Sequence, residues 1–435
     1  MLNWDKRALE VLDALHQRCH RAVLVGGCVR DSLLSIPLHD YDGATSALPE
    51  EIKQACAAFH CVETGIKHGT VTVISGGLPV EVTTFRKESG YSDHRRPDHV
   101  DFTDDLTEDL ARRDFTVNAI AWEPDGLTDP FGGQEDLNRH LIRCVGDPDR
   151  RFEEDALRVI RGLRLAAQLG FELHPDTAAA IRRHIPDLSL VAWERISAEF
   201  LRLICSPGAV QILLDFPRLV TQIIPELTPT VGFDQRNHHH IYDIYTHSVK
   251  ALELVPPVPA LRLAALLHDV GKPDVFSVDE NGEGHFYNHV PRSVELAGNA
   301  LTRMKLDKAT RSKVLLLIER HHLPVEASER WAGKWLSRLG EENFFDLLAL
   351  KRADSGASAP HPGEKENFDR IEAIARDLLA RTPCLTLKDL AVNGRDAVAA
   401  GLSGRDIGQR LHYLLGQVAE GALPNDRAVL LPYLK

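Results

Sequence analysis

The chain has 435 residues, too many for a single hydrophobic core, so about two to four domains are expected. No apolar stretch approaches the ~20 residues of a membrane-spanning helix, and the charged N-terminus is unlike a signal peptide. The net charge of −12 argues against a non-specific nucleic-acid binder, and seven cysteines without a CxxC pair favour reduced thiols in a cytoplasm.

Up to about residue 140 the sequence alternates apolar strand patterns with helical patterns, which is typical of a head that mixes strands and helices. An amphipathic helix is predicted at the N-terminus. Strands are predicted at residues 22–26, 40–45, 70–75 and 79–85. Beyond residue 140 the pattern is helical, so the fold class predicted for the whole chain is α+β.

The segment around the first two strands combines glycines, a cation and paired acids. Gly26 and Gly27 follow the first strand, and glycines ahead of a helix leave backbone N–H groups available to phosphate. Arg30 adds a positive charge. Asp40 and Asp42 are two residues apart, so on a strand they share a face and suit Mg²⁺. The alternative interpretation is a glycine turn with solvated acids.

The strand predicted at 79–85 carries a further acid. Val80 and Val82 would face a core, which leaves Glu81 on the other face. If this strand lies beside the one with Asp40 and Asp42, Glu81 is a third carboxylate of the same site. Otherwise it is a solvated glutamate at a sheet edge.

A polar segment at 86–100, rich in glycine, proline and arginine, predicts a loop. Arg112 and Arg113 follow, on a predicted helix that carries polar groups into a site. These cations suit a triphosphate, and Asp114 and Asn118 suit ribose hydroxyls.

A helix predicted at 153–171 bears Asp155, Arg158, Arg161 and Arg164 at three-residue steps. Cytosine and adenine each present an amino donor beside a ring-nitrogen acceptor, whereas guanine and uracil present a carbonyl acceptor beside an N–H donor. Because arginine donates and aspartate accepts, an Asp155–Arg158 pair would accept C and A and reject G and U. The alternative is an ordinary surface salt bridge.

A second group of polar residues follows a long apolar helix in the second half of the chain. The strongest candidates as ligands of one or two divalent ions are His247, His268, Asp269 and Asp354, with His289 and His321 as further candidates. The alternative is a polar loop at 238–240 and unrelated histidines elsewhere.

Together these motifs resemble the class II tRNA nucleotidyltransferases, the bacterial CCA-adding enzymes with an HD domain. The matching segments are 26–31 with 40–42, Glu81, 112–116 with Asn118, 129–133 with Asp136, 154–155 with Arg158, and 194–196 with Glu199. Cys28 stands where the family usually has a small residue. The resemblance covers most of the chain, and the motifs occur in the family's order.

The resemblance implies a mixed-sheet nucleotidyltransferase head followed by helical neck, body and tail. The implied domains are a head at 1–140, a neck that binds RNA and nucleotide at 141–232, an HD domain at 233–360 and a tRNA-binding tail at 361–435. It also implies that 129–136 is a hinge, and that Glu194 to Glu199 stabilise the neck. Arg161 and Arg164 would continue the basic row of the base-reading motif.

The implied reaction is template-independent addition of C, C and A to the 3′ end of tRNA from CTP and ATP. Two Mg²⁺ ions would bridge Asp40 and Asp42, and Glu81 would assist as a ligand or base. Gly27, Arg30 and Arg113 would hold phosphates. The HD domain could hold a further divalent ion, Ni²⁺, Mn²⁺ or Mg²⁺. The oligomeric state is left open between monomer and homodimer. A membrane partner is not expected.

Several alternatives stay open. Within the same enzyme class these are a CC-adding or A-adding specialist and a poly(A) polymerase, the last disfavoured by the acidic charge. From another class, the head is inactive and the HD domain works as a phosphohydrolase or 2′,3′-cyclic phosphodiesterase. A purely structural HD domain is the third. The tRNA is expected to contact a basic face built from Arg143, Arg150, Arg151, Arg158, Arg161 and Arg164, unless these form ordinary salt bridges.

Overall fold

The protein is described by a computed structural model that covers residues 2, 4–65, 69–90, 99–236, 241–359, 363–381 and 384–434. The chain forms two compact units, residues 1–223 and 224–435. The predicted head and most of the predicted neck fall in the first unit, and residues 224–232 of the neck fall in the second. The four-domain division itself stays a prediction.

The first unit contains strands β1 to β11, followed or separated by helices. The strands are β1 Ala22–Val25, β2 Tyr41–Thr45, β3 His60–Gly65, β4 Thr70–Ser75, β5 Leu78–Thr84, β6 Arg86–Ser89, β7 His99–Phe102, β8 Ala121–Glu123, β9 Gly126–Thr128, β10 Leu141–Ile142 and β11 Glu172–Leu173. The helices are α1 Lys6–His16, α2 Gly27–Leu33, α3 Pro49–Ala55, α4 Leu106–Ala111, α5 Gly133–Asn138, α6 Pro148–Glu154, α7 Leu157–Leu169, α8 Pro175–His184, α9 Trp193–Ile204, α10 Ala209–Asp215 and α11 Pro217–Ile223.

The head is built on a seven-stranded sheet with the order β3-β4-β5-β2-β1-β8-β9. Strands β2 and β5 are parallel, whereas β1 pairs antiparallel with both β2 and β8, so the predicted mixed sheet is confirmed. The predicted alternation in β5 is also present, because Val80 and Val82 are buried and Glu81 is exposed. The amphipathic helix α1 buries Val11, Leu12 and neighbouring apolar residues.

Two predicted elements of the first unit are wrong in part. The segment 86–100 is not a loop throughout, because its two ends are β6 and β7, which pair with each other as a separate antiparallel sheet. Its centre, 91–98, lies outside the described residues. The helix predicted at 153–171 is two helices, because α6 ends at Glu154 and Asp155 has an extended backbone (φ −148°, ψ 102°) before α7 begins.

The second unit is helical apart from one short antiparallel pair, β12 Ser277–Val278 with β13 Gly284–His285, among its described residues. Its helices are α12 Ile244–Leu254, α13 Pro259–Leu267, α14 His289–Arg303, α15 Lys308–Arg320, α16 Glu329–Leu339, α17 Glu341–Gly356, α18 Glu364–Arg381, α19 Gly394–Ala399, α20 Arg405–Ala419 and α21 Arg427–Leu430. Helix α13 is buried from Ala260 to Leu267, and its apolar run ends at His268.

In the described ranges, no single helix is both long and apolar enough to cross a membrane. The bent pair α9 and α10 passes the same test by length and composition only when its two helices are taken together.

Candidate active site and metal centre

The turn between β1 and α2 brings backbone close to the head's charged groups. Gly26 has φ +79° and ψ −135°, a conformation that favours glycine. A Cβ on Gly26 would lie 3.1 Å from Nη1 of Arg113 and 3.7 Å from Oδ2 of Asp42. The backbone angle therefore favours glycine, and a Cβ would also make the Arg113 side chain shift, whereas its contact with Asp42 would be an ordinary one. Gly27 follows as the first residue of α2.

Three carboxylates lie on or just before the neighbouring central strands β2 and β5. Asp42 and Glu81 are direct partners in the parallel register, so their side chains share one face of the sheet. Asp40 is exposed and lies two residues before Asp42. Burial raises the pKa of Asp42, and Glu81 and Asp40 raise it further, while Arg113 opposes them. A site in which burial and like charges disfavour an ionised carboxylate is one that a bound cation would stabilise.

A chain of hydrogen bonds joins the glycine turn to the neck. Nη1 of Arg30 donates to Oδ1 of Asn118 at 2.6 Å, and Nδ2 of Asn118 donates to Oδ1 of Asp114 at 3.2 Å. Nε of Arg161 donates to Oδ2 of Asp114 at 2.9 Å. Although burial opposes it, the charges of Arg161 and Arg158 lower the pKa of Asp114 to about 2. The structure thus links four of the predicted nucleotide-binding residues.

Arg30 is the more deeply buried of the two arginines in the predicted phosphate clamp, because its side chain is 9% exposed and that of Arg113 is 18% exposed. Arg30 as a whole residue is 7% exposed and forms an ion pair with Asp31 at 2.7 Å. Its guanidinium therefore holds Asn118 in place.

Asp109 is a residue that the sequence analysis missed. It is fully buried, and it pairs with Arg112 at 2.8 Å and with Arg113 at 3.2 Å. Glu88 also pairs with Arg112, at 3.3 Å. The available signal was the spacing, because residues three and four apart are neighbours on a helix surface. Asp109 orients Arg113, whose Nη1 approaches Gly26.

Asp155 and Arg158 do not form the surface salt bridge that was the alternative interpretation, and they do not share one helix, while their role as base readers stays a prediction. Asp155 pairs with Arg195 at 2.9 Å, and Arg158 pairs with Glu154 at 2.7 Å. The reason is the break between α6 and α7, which takes Asp155 off the helix surface that Arg158 occupies. Residues 154, 155 and 158 still lie together, although Asp155 and Arg158 each pair with a different residue.

Contact of tRNA with the predicted basic face stays a prediction, but the charge of this face is compensated, as the alternative of ordinary salt bridges expects. Each of its six arginines pairs with a carboxylate at 2.6–3.4 Å. The side chains of Arg151 and Arg158 are only 10% and 12% exposed. Arg164, predicted to bind nucleotide, pairs with Glu199 at 2.6 Å and so joins α7 to α9. Among these arginines, Arg164 therefore stabilises the packing of two neck helices.

The segment 129–137 begins as a turn and ends as helix α5. Asp129 accepts hydrogen bonds from the backbone N–H groups of Gly133 and Gln134 at 2.7 and 2.8 Å. A Cβ on Gly133 would lie 2.3 Å from the carbonyl oxygen of Thr116, and Asp136 accepts a hydrogen bond from the Thr116 hydroxyl at 2.6 Å. The contacts are tight, and the predicted role as a hinge stays a prediction.

The second unit brings all four predicted HD ligands together, with both further candidates. His247, His268 and Asp354 form one triad, and Asp269, His289 and His321 form another, with the ligand atoms of each triad within 4.8 Å of one another. The first triad is tied by His247 to Asp354 at 3.1 Å, and the second by His289 to Asp269 at 3.4 Å. The alternative loop at 238–240 lies outside the described residues.

The charges of these triads suit divalent cations. Burial acts against protonation of His268, but Asp269 and Asp354 outweigh it and raise its pKa to about 10. Burial and the neighbouring His268 lower the pKa of His321 to about 3. The buried carboxylate of Asp269 and the part-buried one of Asp354 thus attract positive charge to the place where nitrogen and oxygen ligands converge.

The mixed sheet with its three carboxylates and the paired triads define the class as a nucleotidyltransferase head combined with an HD domain. Profile comparisons agree: the poly A polymerase head domain matches residues 22–143, the probable RNA and SrmB-binding site of polymerase A matches 170–230, and the HD domain matches 244–357.

The chain belongs to the family of CCA-adding enzymes, which are nucleotidyltransferases. It is 51% identical over 427 residues to the CCA-adding enzyme of Limosilactobacillus fermentum, and the alignment covers 98% of this chain and 95% of that protein. The match to the enzyme of Lactobacillus helveticus is 50% identical over 213 residues, 48% of this chain and about half (53%) of that relative. The Bacillus stearothermophilus CCA-adding enzyme in complex with CTP superposes with a TM-score of 0.76 at 29% identity, over 99% and 96% of the two chains.

Proposed function

We propose that the chain adds C, C and A to the 3′ end of tRNA, using CTP and ATP as substrates. The observation that carries this proposal is the parallel register that sets Glu81 beside Asp42, close to Arg113. The CCA-adding relatives and the CTP complex of one of them support it. The proposed location is the cytoplasm, which the free state of all seven cysteines supports.

The carboxylates of Asp40 and Asp42 would hold divalent cations, which we propose to be Mg²⁺. Their fit rests on the oxygen donors and on the burial and like charges that raise the pKa of Asp42. When bound, such cations lower the pKa of the attacking 3′-hydroxyl and stabilise charge on the triphosphate.

The protein's own groups would position the reactants. Glu81 shares the face of Asp42 and would accept the proton of the tRNA 3′-hydroxyl or help to hold a cation. Arg113, fixed by Asp109, would stabilise the triphosphate charge. Asp114 and Asn118 would contact the ribose hydroxyls, and Arg30 would act on this step by holding Asn118.

Base selection would fall to Asp155 and Arg158 in spite of their separate ion pairs. Asp155 accepts from the backbone N–H of Leu157 at 3.1 Å and from Arg195 at 2.9 Å. A carboxylate has about four acceptor positions, so Asp155 retains capacity for the amino group of cytosine or adenine. Arg195 and Glu154 would hold the two readers in place.

The substitution Asp155→Ala should relax this selection. With tRNA that ends before CCA and each nucleoside triphosphate in turn, the wild type is expected to incorporate CMP twice and AMP once. The variant should incorporate UMP and GMP roughly 5- to 150-fold more, relative to CMP, since one base-reading contact is lost. The measurement is single-nucleotide extension resolved by gel.

A matched control is Asp176→Ala, which removes a carboxylate that is 80% exposed in the same unit and should leave selectivity unchanged. Wild-type addition that stops after CC, begins only after CC, or continues as poly(A) would overturn the proposal of complete CCA addition. Unchanged discrimination in Asp155→Ala would overturn the role of Asp155.

A second activity is supported by the two triads, and we propose that the HD domain hydrolyses phosphate esters with Ni²⁺, Mn²⁺ or Mg²⁺. In the hydrolysis of a 2′,3′-cyclic phosphate, the oxygen of one water forms a new bond to phosphorus. One bond from phosphorus to a ribose oxygen breaks, and that oxygen takes a proton from the water. The observation that favours this activity is the convergence of six ligands in a buried centre.

Replacing His268 by Ala is expected to lower hydrolysis of 2′,3′-cyclic AMP by about 100-fold or more, because one triad loses a ligand. CMP incorporation into tRNA should stay within about twofold of wild type. Both activities are measured on the full chain with each metal in turn. The control is His412→Ala, an exposed histidine on α20. Equal hydrolysis by wild type and His268→Ala would exclude the HD centre as its source.

A further inference from the structure

A cavity of about 720 Å³ opens onto the HD centre. Asp269, His321 and Asp354 line one part of it, and His285 and Tyr287 line another. Pockets of about 300–1,000 Å³ hold ligands the size of a nucleotide or a drug, so this volume exceeds what a phosphate group needs. The cavity therefore has room for a group attached to the phosphate.

The hairpin of β12 and β13 supplies the part of the wall that contains Gly284 and His285. A Cβ on Gly284 would lie 2.2 Å from the carbonyl oxygen of Gln235, so the strand packs directly against neighbouring backbone. Asp279 accepts hydrogen bonds from the backbone N–H groups of Asn281 and Glu283, each at 2.9 Å. Its other oxygen lies 3.2 Å from Nε2 of His285, which orients that ring.

Tyr287 stacks on the oriented ring of His285, with centroids 5.3 Å apart and an angle of 16° between the planes. It is 70% exposed, the largest value among the exposed large apolar and aromatic side chains of the described residues. His285 supports one face of the Tyr287 ring, and this exposure shows that much of the rest of the side chain is open. An aromatic ring carries a large apolar surface, and covering that surface is energetically favourable.

The geometry points to Tyr287 as a stacking platform for a nucleobase, which makes it a residue that determines the specificity of the HD centre. The substrate class would be nucleoside phosphate esters, with the phosphate at the ligands Asp269, His321 and Asp354 and the base against Tyr287. This inference rests on the proposed phosphohydrolase activity. Stacking on an aromatic side chain tolerates every base, because each base has a π face.

The test compares two five-membered cyclic phosphates that differ in the presence of a base, 2′,3′-cyclic AMP and glycerol 1,2-cyclic phosphate. The full chain is assayed with Mn²⁺ and with Ni²⁺. For Tyr287→Ala, kcat/KM on 2′,3′-cyclic AMP is expected to fall roughly 5- to 150-fold, the range of base stacking, mainly through KM. The value on glycerol 1,2-cyclic phosphate should stay within about twofold.

Two variants separate stacking from folding. Tyr287→Phe keeps the ring and should behave as the wild type on both substrates. Tyr413→Ala removes another exposed tyrosine, which is 52% exposed and does not line the cavity, and it should also have no effect. An equal loss on both substrates in Tyr287→Ala, or no loss on either, would overturn the inference and leave the phosphohydrolase activity in place. Hydrolysis of neither substrate by the wild type would overturn both.

Discussion

Replacing Asp42 by Asn is expected to lower CMP incorporation into tRNA without its CCA end by at least about 1,000-fold. The amide keeps the size of the side chain but removes the charge that would hold the cation beside Glu81. The measurement is single-turnover extension with CTP at saturating Mg²⁺. Hydrolysis of 2′,3′-cyclic AMP by the same variant should be unchanged, since the HD ligands lie in the other unit.

The same variant should be at least as stable as the wild type in the absence of metal. Burial raises the pKa of Asp42 above its ordinary 3.8, so the folded state holds this proton more tightly than the unfolded state. The loss of stability therefore develops as the pH rises from about 3.8 and is complete above the folded-state pKa, and Asn removes that cost.

The thermal midpoint at pH 7 with EDTA should stay equal or rise, with the exposed Asp125→Asn as a neutral control. A near wild-type rate in Asp42→Asn would contradict the assignment of the metal site. A loss of activity accompanied by a large fall in Tm would show instead that Asp42 is needed for folding.

The second large effect is expected from Arg161→Ala, which leaves the buried Asp114 carboxylate without its ion-pair partner. Breaking a fully buried pair costs about 3–5 kcal/mol. The Arg161 side chain is 41% exposed and that of Asp114 only 8%, so we expect the free energy of unfolding to fall by about 2–3 kcal/mol. Urea unfolding at pH 7 measures it, with fluorescence as the signal.

The pH dependence of stability gives an independent check on that pair. The pKa of Asp114 is lowered to about 2 from an ordinary 3.8, so its contribution is fully present above about pH 4 and is lost as the pH falls towards 2. In Arg161→Ala this part of the acid dependence should flatten. Arg150→Ala is the matched control, because Arg150 is 71% exposed and its bond to Glu154 is 3.4 Å. Equal losses in the two variants would contradict a specific role for Asp114 and Arg161.

The strands of the head and the position of Glu81 could be predicted because a strand has a strict two-residue period. Alternation in β5 indicated the exposed side of Glu81. The pairing of β5 with β2 is a long-range choice, and here the family resemblance supplied what the local pattern could not. The missed strands β3, β8 and β9 include two of only three residues, too short to show a period.

The helix break at Asp155 shows why some contacts of the site could not be predicted from the spacing of residues in the sequence. The residues from 153 to 171 have a continuous helical pattern, but Asp155 pairs with Arg195, forty positions further on. A partner at that distance is not visible in a local pattern. The HD ligands could be predicted for the opposite reason, since a buried apolar helix that ends in two polar residues requires a compensating environment.

Substitution of Gly26 would disturb the arrangement of the charged groups in the head even where the fold tolerated it. Every other amino acid would add a Cβ at the point where Arg113 and Asp42 approach the backbone. The smallest variation available to evolution at this position is therefore a whole methyl group, set between a cation and a carboxylate. No smaller substitution exists at this residue. The absence of a side chain keeps the spacing between the charges of Arg113 and Asp42.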